Sequence, residues 1–332
     1  MRAAGLWGML ALLLAAPVLL MPGCEEADPC AGLTRCQAEG MLPLAKLSDY
    51  DFFVGPLVDL KPKQGVVPYQ VAAPLWSDQA GKHRFIVLPE GGKIGFKADD
   101  SEWEFPEGTI LVKNFFFDHD RRDANAGSRI IETRLLLRTA DNWRVFTYVW
   151  NDEQTEATPL RTGKRVDIDF IDVDGSEKTE EYIVPNLDQC ASCHERDDVQ
   201  HSLGLITPQM NRMVERDGKM VQQLEWLAAQ DLFVADPPAP ASLTAFVDPF
   251  GSEGTLEWRA RGYLHGNCAH CHQLGGGAGK SGLVFLGSEP NLAKLGVCKV
   301  PAAAGQGTGG FPHDIVPGKP EESIVIFRMN SL

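Results

Sequence analysis

The chain has 332 residues, 44% hydrophobic and 23% charged, a globular composition that excludes disorder and suggests one to three domains. Its net charge is −14, from 45 acidic and 31 basic side chains, which argues against nucleic-acid binding because phosphate recognition needs clustered Lys and Arg. The 33 glycines and 22 prolines favour strands, turns and loops over long helices, and eight cysteines are few enough that their spacing matters more than their number.

Taken in chain order, Arg2 precedes an apolar run from Leu6 to Leu20, followed by Pro22, Gly23 and Cys24. A basic start, a short apolar run and a small residue at the break predict a secretory signal over 1–23, too short to span a bilayer. Gly23-Cys24 resembles a bacterial lipobox, with Cys24 as the lipidated first residue of the mature chain; Met21 and Pro22 depart from the usual leucine and small residue. Glu25 stands where an inner-membrane retention aspartate would be. The expected location is the periplasmic side of the cell envelope, as an outer-membrane lipoprotein anchored to the membrane at Cys24. Residues 24–45 read as a tether.

Residues 46–186 read as a β-rich domain, a sandwich or barrel-like sheet. Apolar or alternating runs recur at Arg84–Leu88, Thr109–Phe117, Arg129–Leu137, Arg144–Trp150, Val166–Val173 and Glu180–Val184, separated by turn clusters. Past Pro185 the period changes. Met210, Met213, Val214, Val221, Leu224, Leu227 and Ala228 follow three-and-four spacing, predicting two short helices parted by Gly218. Asp236–Pro240 reads as a linker. Another helix is expected over Glu253–Gly266, with Leu256, Ala260, Tyr263 and Leu264 on one face, and glycine-rich loop follows Gly275.

Two motifs stand out: Cys190-Ala-Ser-Cys193-His194 and Cys268-Ala-His-Cys271-His272. Cys-x-x-Cys-His is the attachment pattern of a c-type haem. Two thiols three residues apart reach two vinyls on one porphyrin edge, and the histidine, one helical turn after the first cysteine, can ligate the iron from the same face. The predicted cofactors are therefore two covalently bound haem c groups. Cys190, Cys193, Cys268 and Cys271 would carry the thioethers, and His194 and His272 would be the proximal ligands. A single zinc site is disfavoured because compact zinc ribbons space their cysteine pairs about 15–20 residues apart. A thioredoxin-type redox pair would leave both histidines unexplained. The expected class is α+β multidomain: the β-rich domain, a first haem segment and helical linker over 187–250, and a cytochrome c-like haem domain over 251–332.

Phe105–Lys113, Ile131–Leu135, Tyr148–Asn151, Tyr182–Asn186, Arg259–Leu264, Asn267–His272, Leu295–Lys299 and Asp314–Gly318 resemble a family of exported bacterial di-haem c-type cytochromes. The resemblance covers nearly everything after Leu47 and supports di-haem electron transfer, but it supplies no substrate. It also implies a Met-Pro stretch, beyond the Ser323–Met329 segment, that would hold the sixth ligand of the second haem; this sequence stops at Leu332. The expectation is that the chain is truncated, that a partner completes the site, or that the second haem lacks a methionine ligand. Met329 is the candidate distal ligand, with packing on the haem edge as its other role. For the first haem, Met210, Met213, Met220 and His201 follow the motif, and the methionines fit a helix core better than a ligand role. A β-rich domain leading into Cys-x-x-Cys-His also resembles the cytochrome P460 arrangement, which would leave the distal face open.

Leu274–Ser281 looks like a phosphate-binding loop but lacks the first glycine, where Leu274 stands. Asp172-Val-Asp174-Gly175 reads as a hairpin turn rather than a calcium loop, and Asp118-His119-Asp120 as a solvated turn. Cys30, Cys36 and Cys298 remain after attachment and lipidation, with one disulfide expected and its pairing open. The leading reading is an electron-transfer protein of the cell envelope, docking a basic redox partner through exposed haem edges. The alternative is a haem-dependent oxidoreductase, a peroxidase or one acting on small nitrogen species, with one open iron. A third is a sensor in which the β-rich domain recognises a ligand.

Overall fold

The structure, a computed structural model, describes residues 42–302 and 305–331. The expected signal, the tether as far as residue 41, Cys24, and the alternatives for Cys30 and Cys36 lie outside the described residues. Among those residues no helix is long and apolar enough to cross a membrane.

The β-rich part is an open antiparallel sheet of six strands in sequence order: β1 (Val66–Tyr69), β2 (Gly81–Val87), β3 (Ile110–Asp118), β4 (Ser128–Arg138), β5 (Trp143–Trp150) and β6 (Ala157–Pro159). A separate hairpin, β7 (Lys164–Ile171) and β8 (Glu177–Val184), turns at Asp172–Ser176 as expected. All six expected runs are strands. The two that the alternation missed, β1 and β6, are the short edges, and each contains a proline, Pro68 and Pro159. Proline cannot donate to a ladder, so it is tolerated at a sheet edge, where it blunts the pattern by which a strand is recognised.

Cross-strand pairing sorts the side chains into rows. On one face Pro68, Phe85, Val112, Leu135 and Phe146 align, and the segment before the sheet covers them with Leu47, Tyr50, Phe52 and Phe53. On the other face Val67, Ile86, Leu111, Leu136 and Val145 align. Trp103, Leu205, Met210, Leu224 and Leu227 cover this row. Further along the same face Phe115 and Phe117 pack under Ile168, Phe170, Tyr182 and Val184 of the hairpin. Between these two apolar clusters runs the row Tyr69, Arg84, Lys113, Arg134 and Thr147. A buried Val, Leu or Phe side chain contributes roughly 1.5–3 kcal/mol, whereas an unpaired charge loses its hydration. The covering layers therefore close over the apolar rows and leave a cavity above the charged one.

The chain after the sheet is not mainly helical. It comprises α1 (Leu187–His194), the hairpin β9 (Glu195–Arg196) and β10 (Val199–Gln200), α2 (Thr207–Met210), the hairpin β11 (Met213–Arg216) and β12 (Lys219–Gln222), α3 (Gln223–Ala229), α4 (Leu256–Asn267), α5 (Ile324–Met329), and long loops. Met213, Val214 and Val221, expected on helices, form β11 and β12. Gly218 is the hairpin turn at φ +73°, not a helix boundary. The apolar face assigned to α4 is corrected in part. Leu256 and Ala260 are exposed, whereas Leu264 packs with Ala269, Leu283 and Phe285, and α4 also packs through its glycines: Gly262 against Ala73 and Phe246, and Gly266 against the Ala73 carbonyl. Periodicity counts apolar side chains and so cannot register a helix that packs through bare backbone.

Two buried glutamines fasten this region to the sheet. Gln209 accepts from Ala73 N at 2.8 Å and donates to Ala73 O at 2.9 Å. Gln223 does the same to Gln70, at 2.8 and 2.9 Å. Each side-chain amide thus acts as a one-residue strand pairing with extended backbone. Replacing Gln209 by leucine strands the Ala73 amide and carbonyl, so we expect Gln209→Leu to destabilise the protein by about 1–3 kcal/mol for each buried group left unpaired. An unchanged urea midpoint and slope would remove this fastening from the account.

Candidate functional site

Asn186 starts α1 through a reciprocal cap: its side chain accepts from Gln189 N at 2.8 Å, and the Gln189 side chain accepts from Asn186 N at 2.9 Å. The eight-residue helix that follows carries Cys190 and His194 four residues apart, on one face. The second motif begins where α4 ends, with Cys268 as its C-cap. There a single turn closes from His272 N to Cys268 O at 2.9 Å, so the second motif keeps the i to i+4 relation without a continuous helix.

Both histidines are oriented alike. His194 Nδ1 donates to the His201 carbonyl at 2.7 Å, which leaves Nε2 unprotonated. Burial pushes His194 down to about 4, so it is neutral at ordinary pH, the form that binds a metal. His272 Nδ1 lies 3.1 Å from the Ser281 hydroxyl, which itself donates to the Ala278 carbonyl at 2.7 Å. The Ser281 oxygen therefore accepts from His272, again freeing Nε2. The loop that imitates a phosphate-binding motif is the support for this histidine.

Cys190, Cys193 and His194 line a cavity of about 700 Å3 that also meets Arg84, Lys113 and Arg134. Pockets that bury cofactors run from roughly 300 to 1,000 Å3, so this one can enclose a porphyrin beside the two thiols. Cys268, His272 and Met329 line a second cavity of about 210 Å3. That is below the same range, so this cavity does not enclose a whole porphyrin, and Cys271 is not on its wall. Met329 is 46% exposed at the rim. The chemistry of the donors, two thiols and an Nε2-free imidazole at each motif, suits a c-type haem in both places.

The methionines of the first segment are elsewhere. Met210 is fully buried against the Gln223 amide, the core role expected of it, and Met213 and Met220 are exposed on the β11–β12 hairpin. His201 lies on the wall of the large cavity, with Nδ1 3.0 Å from Glu102 Oε1. Burial would raise the Glu102 carboxyl, but hydrogen bonds from His201 and Ser202 carry it below the usual carboxylate range. Arg196 Nη2 also lies 3.2 Å from His201 Nδ1, and neither spacing nor motif announced this carboxylate–imidazole pair on the cavity wall. His265 shares the wall but accepts from Gly287 N at 3.0 Å through Nδ1, which places its proton on Nε2.

The two motifs also meet each other. The Cys271 thiol points to the Ser192 carbonyl at 3.5 Å. The sulfurs of Cys193 and Cys271 and a ring nitrogen of His270 all lie within 4.8 Å of one another. Hydrogen bonding from Cys271 and His270 favours the Cys193 thiolate and lowers its pKa, while the same contact raises that of Cys271. Cys190 and Cys268 stand outside this cluster, and burial raises both thiols. Cys298 is an exposed free thiol. Asp120, in the polar turn after β3, is paired with Arg122 at 2.8 Å. No family model, curated protein or solved structure matches this chain.

One neighbour of the charged row titrates near neutrality. Lys82 donates to the carbonyls of Leu75 and Ala80 at 2.9 and 2.7 Å, and burial, aided by Arg84 and Arg134, lowers it from 10.5 to about 7. The unfolded chain holds that proton up to about 10.5, so between the two values the unfolded state binds more protons and stability rises with pH. We expect the stability of wild type to climb from pH 7 towards pH 10 and Lys82→Met to flatten that climb. Parallel profiles from denaturant titrations would exclude it.

Proposed function

We propose that this chain is a di-haem c-type cytochrome that carries electrons in the bacterial cell envelope. The observation that carries the reading is that Cys190, Cys193 and an Nδ1-engaged His194 line a cavity of about 700 Å3, with His272 held in the same tautomer at the second motif. In this reading, Cys190 and Cys193 hold one macrocycle and Cys268 and Cys271 the other, while His194 and His272 bind the irons through Nε2. Bound haem supplies one-electron redox chemistry. The protein holds both imidazoles in one tautomer with backbone and Ser281 acceptors, and such outer partners raise a ligand's basicity. Attachment sulfurs in near contact give a short path between the two groups. The exposed rim at Met329 and the net charge of −14 suit docking to a basic redox partner. Export, the lipid anchor at Cys24 and the separate cytochrome c-like second domain belong to the same proposal.

One observation favours a second reading. Cys193, His270 and Cys271 are placed to hold a soft divalent metal such as zinc, with a fourth ligand from outside. The two readings exclude each other, because a sulfur alkylated by a vinyl is no longer a thiolate.

The test is to express the full chain with a periplasmic haem-maturation system, denature it and extract it with acid acetone. We expect retained haem and a mass gain of two prosthetic groups. Cys190→Ala with Cys193→Ala should remove one group and leave the other. Wild type that keeps no haem, but binds one zinc per chain and loses it in Cys271→Ser, would replace this proposal with the metal site.

A further inference from the structure

The attachment chemistry leaves one built feature of the large cavity unused. Arg84 of β2 pairs directly with Lys113 of β3, and Lys113 with Arg134 of β4, so three cations stand in one row on one face of the central strands. Like charges set directly opposite destabilise a sheet, so this row is not there for pairing strength.

Their partners are unequal. Arg134 has a carboxylate, with Nε 2.9 Å from Glu132 Oε2 and Nη2 2.5 Å from Oε1. Glu132 is fully buried and also accepts from the Tyr182 hydroxyl at 2.6 Å, so its single charge is engaged by Arg134 and Tyr182 and reaches Lys113 only through space. Arg84 has one marginal contact, to the Lys82 carbonyl at 3.5 Å. Lys113 has the ring of Phe115 at 5.0 Å. Among the described residues no carboxylate lies within ion-pair distance of either. Of the acids on the cavity wall, Glu102 is committed to His201 and Ser202, Asp100 to Ser288, and Asp78 faces Lys82 as its nearest cation. Tyr69, next to Arg84 in the row, is pushed up to about 12 by burial, so it is a neutral donor and not a counter-ion. Burial, with Arg84, Arg134 and Lys82 alongside, pushes the Lys113 amine well down, the response of an ammonium without a counter-ion, so the cavity is short of negative charge beside Arg84 and Lys113.

We infer that Arg84 and Lys113 form an oxyanion receptor that takes a pair of carboxylates, or one doubly charged oxyanion, inside this cavity, with Tyr69 donating beside them. Resting on the proposed function, the pair is the two propionates of the group attached at Cys190 and Cys193. A free oxyanion offers the same chemistry, and the experiment separates the two.

Full-length protein is prepared with and without haem maturation and titrated calorimetrically with inorganic phosphate. Haem-free wild type is expected to bind it, Arg84→Gln and Lys113→Met to weaken binding about 30-fold or more, and Arg84→Lys to keep most of it. In matured protein, propionates in the row block phosphate, and Lys113→Met lowers the reduction potential of one haem and leaves the other unchanged. Matured protein that still binds phosphate, and loses it in the two variants, assigns the receptor to a free oxyanion. The potential measurement stands alone if the haem-free chain does not fold, and the phosphate titration stands alone if no haem is attached. Equal or absent phosphate binding in wild type and variants, with potentials unmoved by Lys113→Met, overturns the receptor.

Discussion

The organising constraint is a row of cations on a sheet face that is otherwise apolar. Every second residue of a strand faces the same way, so Lys113 must share a face with Leu111 and Phe115. The apolar residues on either side draw separate covers, the α2–α3 layer on one flank and the β7–β8 hairpin on the other. Neither cover can close over Arg84 and Lys113 without stranding their charges, so the space between the covers stays open. That space is where α1 delivers Cys190, Cys193 and His194.

Bringing in the second motif is a matter of backbone contact. The extended segment at Ala73 is held on one side by the Gln209 amide and on the other by Gly266 of α4. A Cβ at Gly266 would sit 2.5 Å from the Ala73 carbonyl oxygen, so only a bare helix can approach this closely. Asn267, the next residue, accepts from Trp76 N at 2.6 Å. The end of α4 is thereby fixed against the sheet region, and the turn that begins at Cys268 projects Cys271 onto Ser192. The metal reading depends on this approach, since it needs Cys193 and Cys271 side by side, whereas attachment at each motif needs only that motif's own thiols.

Much of the β-rich part was legible in the sequence. Alternation and turn residues located the four central strands and the hairpin, because half-buried strands print their burial directly as a period of two. The edges were hidden by Pro68 and Pro159. Part of the methionine segment misled, since Met213, Val214 and Val221 satisfy helical spacing while Asp217-Gly218 makes the tight turn of a hairpin; Leu224, Leu227 and Ala228 do lie on a helix, α3. Of the site, the two Cys-x-x-Cys-His motifs were legible as local chemistry. Glu102, Gln209 and the Arg84–Lys113–Arg134 row were not, because each acquires its role from a partner distant in the chain; Ser281 is only nine residues from His272, but no backbone repeat pairs the two.

The sequence by itself determined the units: which runs become strands, which residues carry thiol and imidazole at attachment spacing, and how acidic the chain is. These are properties of neighbours within a turn or a strand, where the repeat of the backbone alone sets which side chains share a face. Tertiary structure alone decided that Cys193 and Cys271 meet, that each motif histidine has its Nδ1 engaged, and that three cations from three strands gather in one cavity. The first and last are contacts between distant segments, set by strand register and by the close approach of α4 to Ala73, while each histidine is held by a residue seven or nine places on, a spacing that no backbone repeat encodes.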